Sequence, residues 1–162
     1  MNIRELQKLD FLLKKINSHS KSKEFNIVFS INNELYTGDF IPTIIDNKVQ
    51  LKDVSSLDSS DTINIDIKNF DDWVKITDSP DKNGIFDSDY TKLIKRSNFL
   101  QSSEYLRLLD EMLIKYPIEF ENPLPTYIYN IKLLNNKLPI NFMKIDEDTQ
   151  FDFVSLVPEN AN

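Results

Sequence analysis

Asn32-Asn33 and Asn135-Asn136 each stand between two runs in which apolar and polar residues alternate. Asparagine tolerates positive φ better than most residues that carry a side chain, so a paired asparagine between two alternating runs predicts a tight hairpin. Around each pair the order is the same: amphipathic helix, strand, Asn pair, strand, polar turn, strand. The first copy runs from Phe25 to Val54, with Asp46-Asn47 as its second turn. The second runs from Tyr127 to Val157, with Asp146 to Thr149 in that place. The expected fold class is α+β, built from two helix-plus-three-stranded antiparallel meander units. Matching the two pairs sets Phe29 opposite Lys132, which flips the inward face unless one residue is inserted near Leu134. Two uses of a common building plan explain the pattern better than a duplicated ancestor.

The periodicities fill in the elements. Ile3, Leu6, Leu9, Leu12, Leu13 and Ile16 recur at three- and four-residue steps and predict a first helix over 3–16. Phe25, Ile27, Phe29 and Ile31 alternate with Asn26, Val28 and Ser30, which predicts a strand with one inward face. A return strand is expected from Glu34 to about Ile45. Gly38 would mark a bulge or a close backbone approach in it, and Pro42 an edge or the end of pairing. Val49 to Val54 completes the unit. Ile63, Ile65 and Ile67 predict a fourth strand, and Trp73, Val74 and Ile76 a fifth, enough to curl residues 1–77 into a small, partly open β-barrel.

Residues 78–89, with Pro80 and Gly84, read as a connector to a second half, 90–162. There a short helix is expected over 90–96, capped by Asp87 or Ser88, and a longer one over 103–115 that Pro117 stops. Ile118 to Pro125 reads as an extended connection. In the second meander Tyr127, Tyr129, Ile131 and Leu133 would share one face. Pro139 implies an edge strand, and Phe151 and Phe153 would share a face of the last strand.

Charge and composition exclude several functions. The chain has 26 acidic against 19 basic residues, a formal charge of -7. Such a field repels phosphate backbones and anionic lipid, so neither nucleic acid nor membrane is an expected partner. There is no cysteine, which removes disulfides, thiolate metal sites and thiol nucleophiles together. Residues 1–20 interleave apolar positions with Arg4, Glu5, Lys8, Asp10, Lys14 and Lys15, unlike a signal peptide, and no apolar run approaches the ~20 residues of a membrane span. A cytosolic location is expected. The single histidine, His19, sits in a polar linker and reads as solvated. With only Gly38 and Gly84, no glycine-rich phosphate loop can form.

The stretch from Asp78 to Asp89 carries the strongest chemical pattern. With Gly84 at the sixth position of a calcium loop, Ser79, Asp81, Asn83 and Asp87 take the first, third, fifth and ninth. Phe86 takes the apolar eighth. The stretch resembles half of an EF-hand or dockerin loop. It departs from that pattern at the first position, where Ser replaces Asp, and at the twelfth, Tyr90, although Asp89 is adjacent. The competing reading is a turn that caps the next helix. The acids of 66–72 and Asp146-Glu147-Asp148 read as solvated surface. Trp73, Tyr36, Tyr127 and Tyr129 lie among polar residues or on strands, and aromatic groups ringed by acids suit a basic partner.

Residues 25–42, from Phe25 through Asn32-Asn33 and Gly38 to Pro42, resemble the start of the gas-vesicle accessory proteins of the U type. Val49 to Val54 and Ile63 to Ile76 are similar to later strands of that family. The likeness spans residues 6–76 and differs at Asn33, where the family usually has glycine. It implies a structural accessory role such as vesicle clustering. Ile31 to Val54 also resembles the bent strands of Sm-like and other SH3-like small barrels.

The sequence favours a non-enzymatic, cytosolic interaction module that recognises other proteins with basic surfaces through an acidic β-sheet face, as an adaptor, accessory protein or inhibitor. No cofactor is expected in that reading. The alternatives are the gas-vesicle accessory role and a carboxylate- or divalent-metal-dependent enzyme or calcium-binding protein centred on Ser79, Asp81, Asn83, Asp87 and Asp89.

Overall fold

The computed structural model describes residues 1–18, 22–42, 44–45, 48–52, 60–67, 89–98, 100–134 and 136–159. Helix α1, Ile3–Asn17, begins with a capping box. The Asn2 side chain accepts the Glu5 N–H at 3.0 Å, and the Glu5 carboxylate accepts the Asn2 N–H at 2.7 Å. Two of the donors that every helix leaves unpaired at its start are thus satisfied. Strand β1, Phe25–Ile31, turns back into β2, Glu34–Asp39, through Asn32 (φ 50°) and Asn33 (φ 66°). Both central residues are left-handed, as the Asn pair predicts for a primed turn.

The expected return strand to Ile45 does not form as one piece. β2 ends at Asp39, Pro42 follows outside it, and pairing resumes in a two-residue β3, Ile44–Ile45. β4, Lys48–Lys52, and β5, Ser60–Ile67, come next. Helix α2 spans Asp89–Ser97 and α3 spans Ser102–Lys115, ending just before Pro117. Ile118–Phe120, within the expected extended connection, pairs with β5 as β6. β7, Tyr127–Leu133, β8, Asn136–Lys144, and β9, Val154–Pro158, complete the chain.

The fold is α+β with antiparallel strands, and the strands are distributed differently from two meanders. A five-stranded sheet has the order β8-β7-β2-β1-β9, and a four-stranded sheet the order β3-β4-β5-β6. The first meander is split between the two sheets, which also replaces the expected barrel. The second is opened: β9 leaves β8 and pairs with β1, Ile27 opposite Leu156. Each sheet therefore joins strands from both halves of the chain. β8 lies at a sheet edge, where Pro139 removes a backbone donor at least cost.

One hydrophobic core runs through these elements. It contains the whole α1 stripe, Phe25, Ile27 and Phe29 of β1, Val49, Ile63 and Ile118 of the smaller sheet, and Tyr105 and Leu109 of α3. Phe29 meets Phe40 and Phe151 edge-on, with ring centroids 5.1 and 5.6 Å apart. Phe151 is buried while Phe153 is exposed, so these two do not share a face, and both precede β9.

A polar staple holds α1 to the end of the larger sheet. Arg4 donates to Leu124 O, to Gln7 Oε1 at 3.0 Å and to Glu147 Oε1 at 2.5 Å. The fully buried Gln7 amide donates to Pro125 O at 3.0 Å. Glu147, one of the clustered acids, thereby anchors the loop after β8.

Candidate functional site

Strand β7 decides which aromatic groups face outward. Ile128 and Ile131 both belong to the core, although they are three residues apart. A regular strand cannot place both on one face, because its side chains alternate. Asn130 lies between them at φ 50° and supplies the irregularity. The same break appears in the ladder to β2: Thr37 pairs with Lys132, but Asp39 pairs with Tyr129. The bulge turns Tyr127 and Tyr129 away from the core, whereas plain alternation puts them beside Ile131 and Leu133. That expectation of a shared face is corrected by this one residue.

Gly38, on the facing strand, explains why the bulge fits. A Cβ there would lie 2.9 Å from Ile128 Cγ2, 3.2 Å from Tyr129 O and 3.4 Å from a Phe29 ring carbon. The glycine marks the close backbone approach expected from sequence, and the bulge is beside it. Its place on the core side puts Thr37, Lys132 and Val28 on the outer side.

The outer face carries a three-ring cluster. Tyr127 and Phe142 meet edge-on at 5.9 Å between centroids, and Tyr127 lies 6.4 Å from Tyr129. Tyr129 is 9% exposed and forms the floor, while Phe142 on edge strand β8 is 46% exposed. Burial, and after it the neighbouring Tyr127 hydroxyl, pushes the Tyr129 phenol above its ordinary range, so it stays neutral. Leu35, paired with Ser30 on the same outer face, is also exposed; Ile140 on β8 is exposed as well but stands opposite the core residue Ile131. Phe142 escaped sequence reading because Pro139 and the polar neighbours of β8 hid its partnership with Tyr129.

The charges around this patch are mixed. Asp39 lies beside Tyr129 and receives an N–H from the Asn130 amide at 2.7 Å. Lys14 approaches the same carboxylate at 3.4 Å. Lys144 sits opposite Tyr127, and Lys132 is exposed one bulge away. Among the described residues, Lys132 and Lys144 as well as Asp39 therefore stand around these aromatic groups.

Tyr36 belongs elsewhere. Its ring stacks on Phe29 at 5.8 Å on the core side, and its hydroxyl donates to Glu34 Oε2 at 2.6 Å. That hydrogen bond, with some burial behind it, raises the Tyr36 hydroxyl above its ordinary range. The residue closes the hairpin end of the core instead of joining the patch. Trp73, Ser79, Asp81, Asn83 and Asp87 lie outside the described residues, and Asp89 is the first residue of α2. Among the described residues, no group of three or more His, Cys, Asp or Glu side chains is arranged to hold a metal ion, and no helix is long and apolar enough to cross a membrane. Compared with known protein families, with curated proteins and with solved structures, the chain gives no match.

Proposed function

We propose that this chain is a non-enzymatic protein–protein interaction module that docks its partner on the outer face of the five-stranded sheet, at Tyr127, Tyr129 and Phe142. The single observation carrying this reading is the Asn130 bulge. It takes two tyrosines off the core face of β7 and sets them beside an exposed phenylalanine on the edge strand. Half-exposed aromatic groups over a buried floor are the usual makings of a binding hot spot. Rigid strands hold them, so little conformational entropy is lost when a partner arrives. The acidic net charge of the remaining surface supports selectivity by repelling acidic proteins that lack a matching patch.

Affinity capture from the native cell tests this reading with three proteins: wild type, Tyr127→Ala/Phe142→Ser, and Ile114→Ser. Ile114 is an exposed apolar residue on α3, away from the patch, and serves as the control. The expected result is a discrete set of proteins held by wild type and by Ile114→Ser and lost from the patch variant. Equal capture by all three would remove the proposal.

A further inference from the structure

The β7–β8 hairpin differs in charge from the rest of the molecule. Residues 127–144 contain Lys132, Lys137 and Lys144 and no Asp or Glu. All 26 acids lie outside it with the other 16 basic residues (19 − 3), so the remainder carries 16 − 26 = −10 against +3 for the hairpin. The exposed Phe142 and Ile140 lie on β8 within this basic island, and β8 is a sheet edge. Lys144 stands across from Tyr127, two register positions from the Tyr129–Phe142 pair. The nearest acid of β2, Asp39, already receives Asn130 and Lys14, and Glu147 in the next loop is held by Arg4.

Resting on the interaction reading above, we infer that the occupant of this patch is an extended acidic segment of a partner protein. It lies along the Ile140–Lys144 half of β8, with an apolar side chain against Phe142 and Tyr127 and its carboxylates at Lys144 and Lys132. Backbone pairing to an edge strand gives such a segment affinity, and alternate side chains give it selectivity. Pro139 has no N–H to offer and limits the pairing to the second half of the strand.

Charge decides against two other occupants. Nucleic acid carries a charge at every nucleotide, so a strand extending past the hairpin meets the acidic remainder, including Asp146 and Asp148 just after Lys144. A second copy joined edge to edge by a two-fold axis brings the same lysine-bearing strands together. A short acidic segment confined to Ile140–Lys144 ends before Asp146 and Asp148.

Fluorescence anisotropy with labelled synthetic peptides tests the inference. One peptide alternates Glu with Val and Phe over the length of the Ile140–Lys144 half of β8. The second replaces each Glu with Lys, and a thymidine oligonucleotide is the third probe. The expected result is saturable binding of the Glu peptide only, weakened at least tenfold by Lys132→Glu/Lys144→Glu and by Phe142→Ser, and weakened by added salt. The inference is overturned if the Glu peptide fails to bind at millimolar concentration, or if the Lys peptide or the oligonucleotide binds as well. It is also overturned if sedimentation shows a dimer that Phe142→Ser dissolves. Should the Glu peptide fail while cellular capture still depends on Phe142, the partner chemistry is wrong and the interaction reading stands. If capture is also indifferent to Phe142, both fall.

Discussion

The Asp10 carboxylate on α1 accepts the backbone N–H of Phe40 at 2.7 Å, 30 residues along the chain. The same oxygen accepts Ile41 N–H at 3.0 Å and the Lys14 ammonium at 2.8 Å, and Lys14 also donates to Ile41 O at 2.9 Å. Asp10 is 3% exposed. The chain leaves β2 at this point, where its backbone groups have no ladder partner, and a helix side chain satisfies them instead. Asp10→Ala orphans two buried amides and removes one partner of the Lys14 ammonium, which keeps Ile41 O and Asp39. The expected loss is about 3 kcal/mol in urea unfolding, by the usual cost of breaking a buried, hydrogen-bonded charge. A loss near zero would mean that water replaces the carboxylate.

The same group makes stability depend on pH. Burial raises the Asp10 carboxyl above its ordinary 3.8, and Lys14 and the Ile41 amide pull back only part of that shift. The folded state therefore binds this proton more tightly than the unfolded chain. The resulting stabilisation is complete below 3.8 and is lost as pH rises through the folded value. Asp10→Asn cannot titrate. The melting temperature of wild type minus that of Asp10→Asn should fall as pH rises above 3.8. A difference that grows with pH would show that Lys14 and the amides outweigh burial.

Gly38→Ala should destabilise the protein by about 1–3 kcal/mol through overpacking. The added methyl meets Ile128 Cγ2 at 2.9 Å and the Tyr129 carbonyl at 3.2 Å, and the carbonyl is backbone that cannot swing aside. Thermal denaturation of the variant measures the loss, and an unchanged midpoint would contradict the tightness of this crossing.

At the first hairpin, Asn33 holds φ 66°. Asn33→Ala should cost about 1 kcal/mol, the price of left-handed backbone for a residue with a Cβ and no local polar group. Asn33→Gly should cost less or gain slightly. Chemical denaturation that ranked alanine above glycine would mean the turn had changed type.

Asn130→Val puts a β-branched residue at φ 50°, where its side chain is strained. Removing the bulge would swing Tyr127 and Tyr129 toward the core and disperse the patch. The near-ultraviolet circular dichroism of the tyrosines should change and partner capture should be lost, whereas Asn130→Gly should retain both. Capture unaffected by Asn130→Val would separate the bulge from binding.

Much of the fold was legible locally. The α1 stripe, the alternation of β1 and the left-handed Asn32-Asn33 turn depend on residues within a few positions of one another, and the structure keeps all three. Of the second Asn pair, Asn135 lies outside the described residues. Leu133 pairs with Asn136, so that asparagine belongs to β8 and not to the turn. Among the described residues of this hairpin, the left-handed asparagine is Asn130, in mid-strand. Nothing near it in sequence announces a bulge, because the bulge answers Gly38 and the Asp39 carboxylate on another strand.

The helices, most strands, the acidic charge and the apolar stock of the core follow from local patterns, since periodicity and turn chemistry act over short range. Tertiary structure alone decided that β9 joins β1, that the strands divide into two sheets, and that Tyr127 and Tyr129 meet Phe142 on the outside. Those outcomes are set by pairing between distant segments, where burial of a shared core outweighs the preference of any single strand.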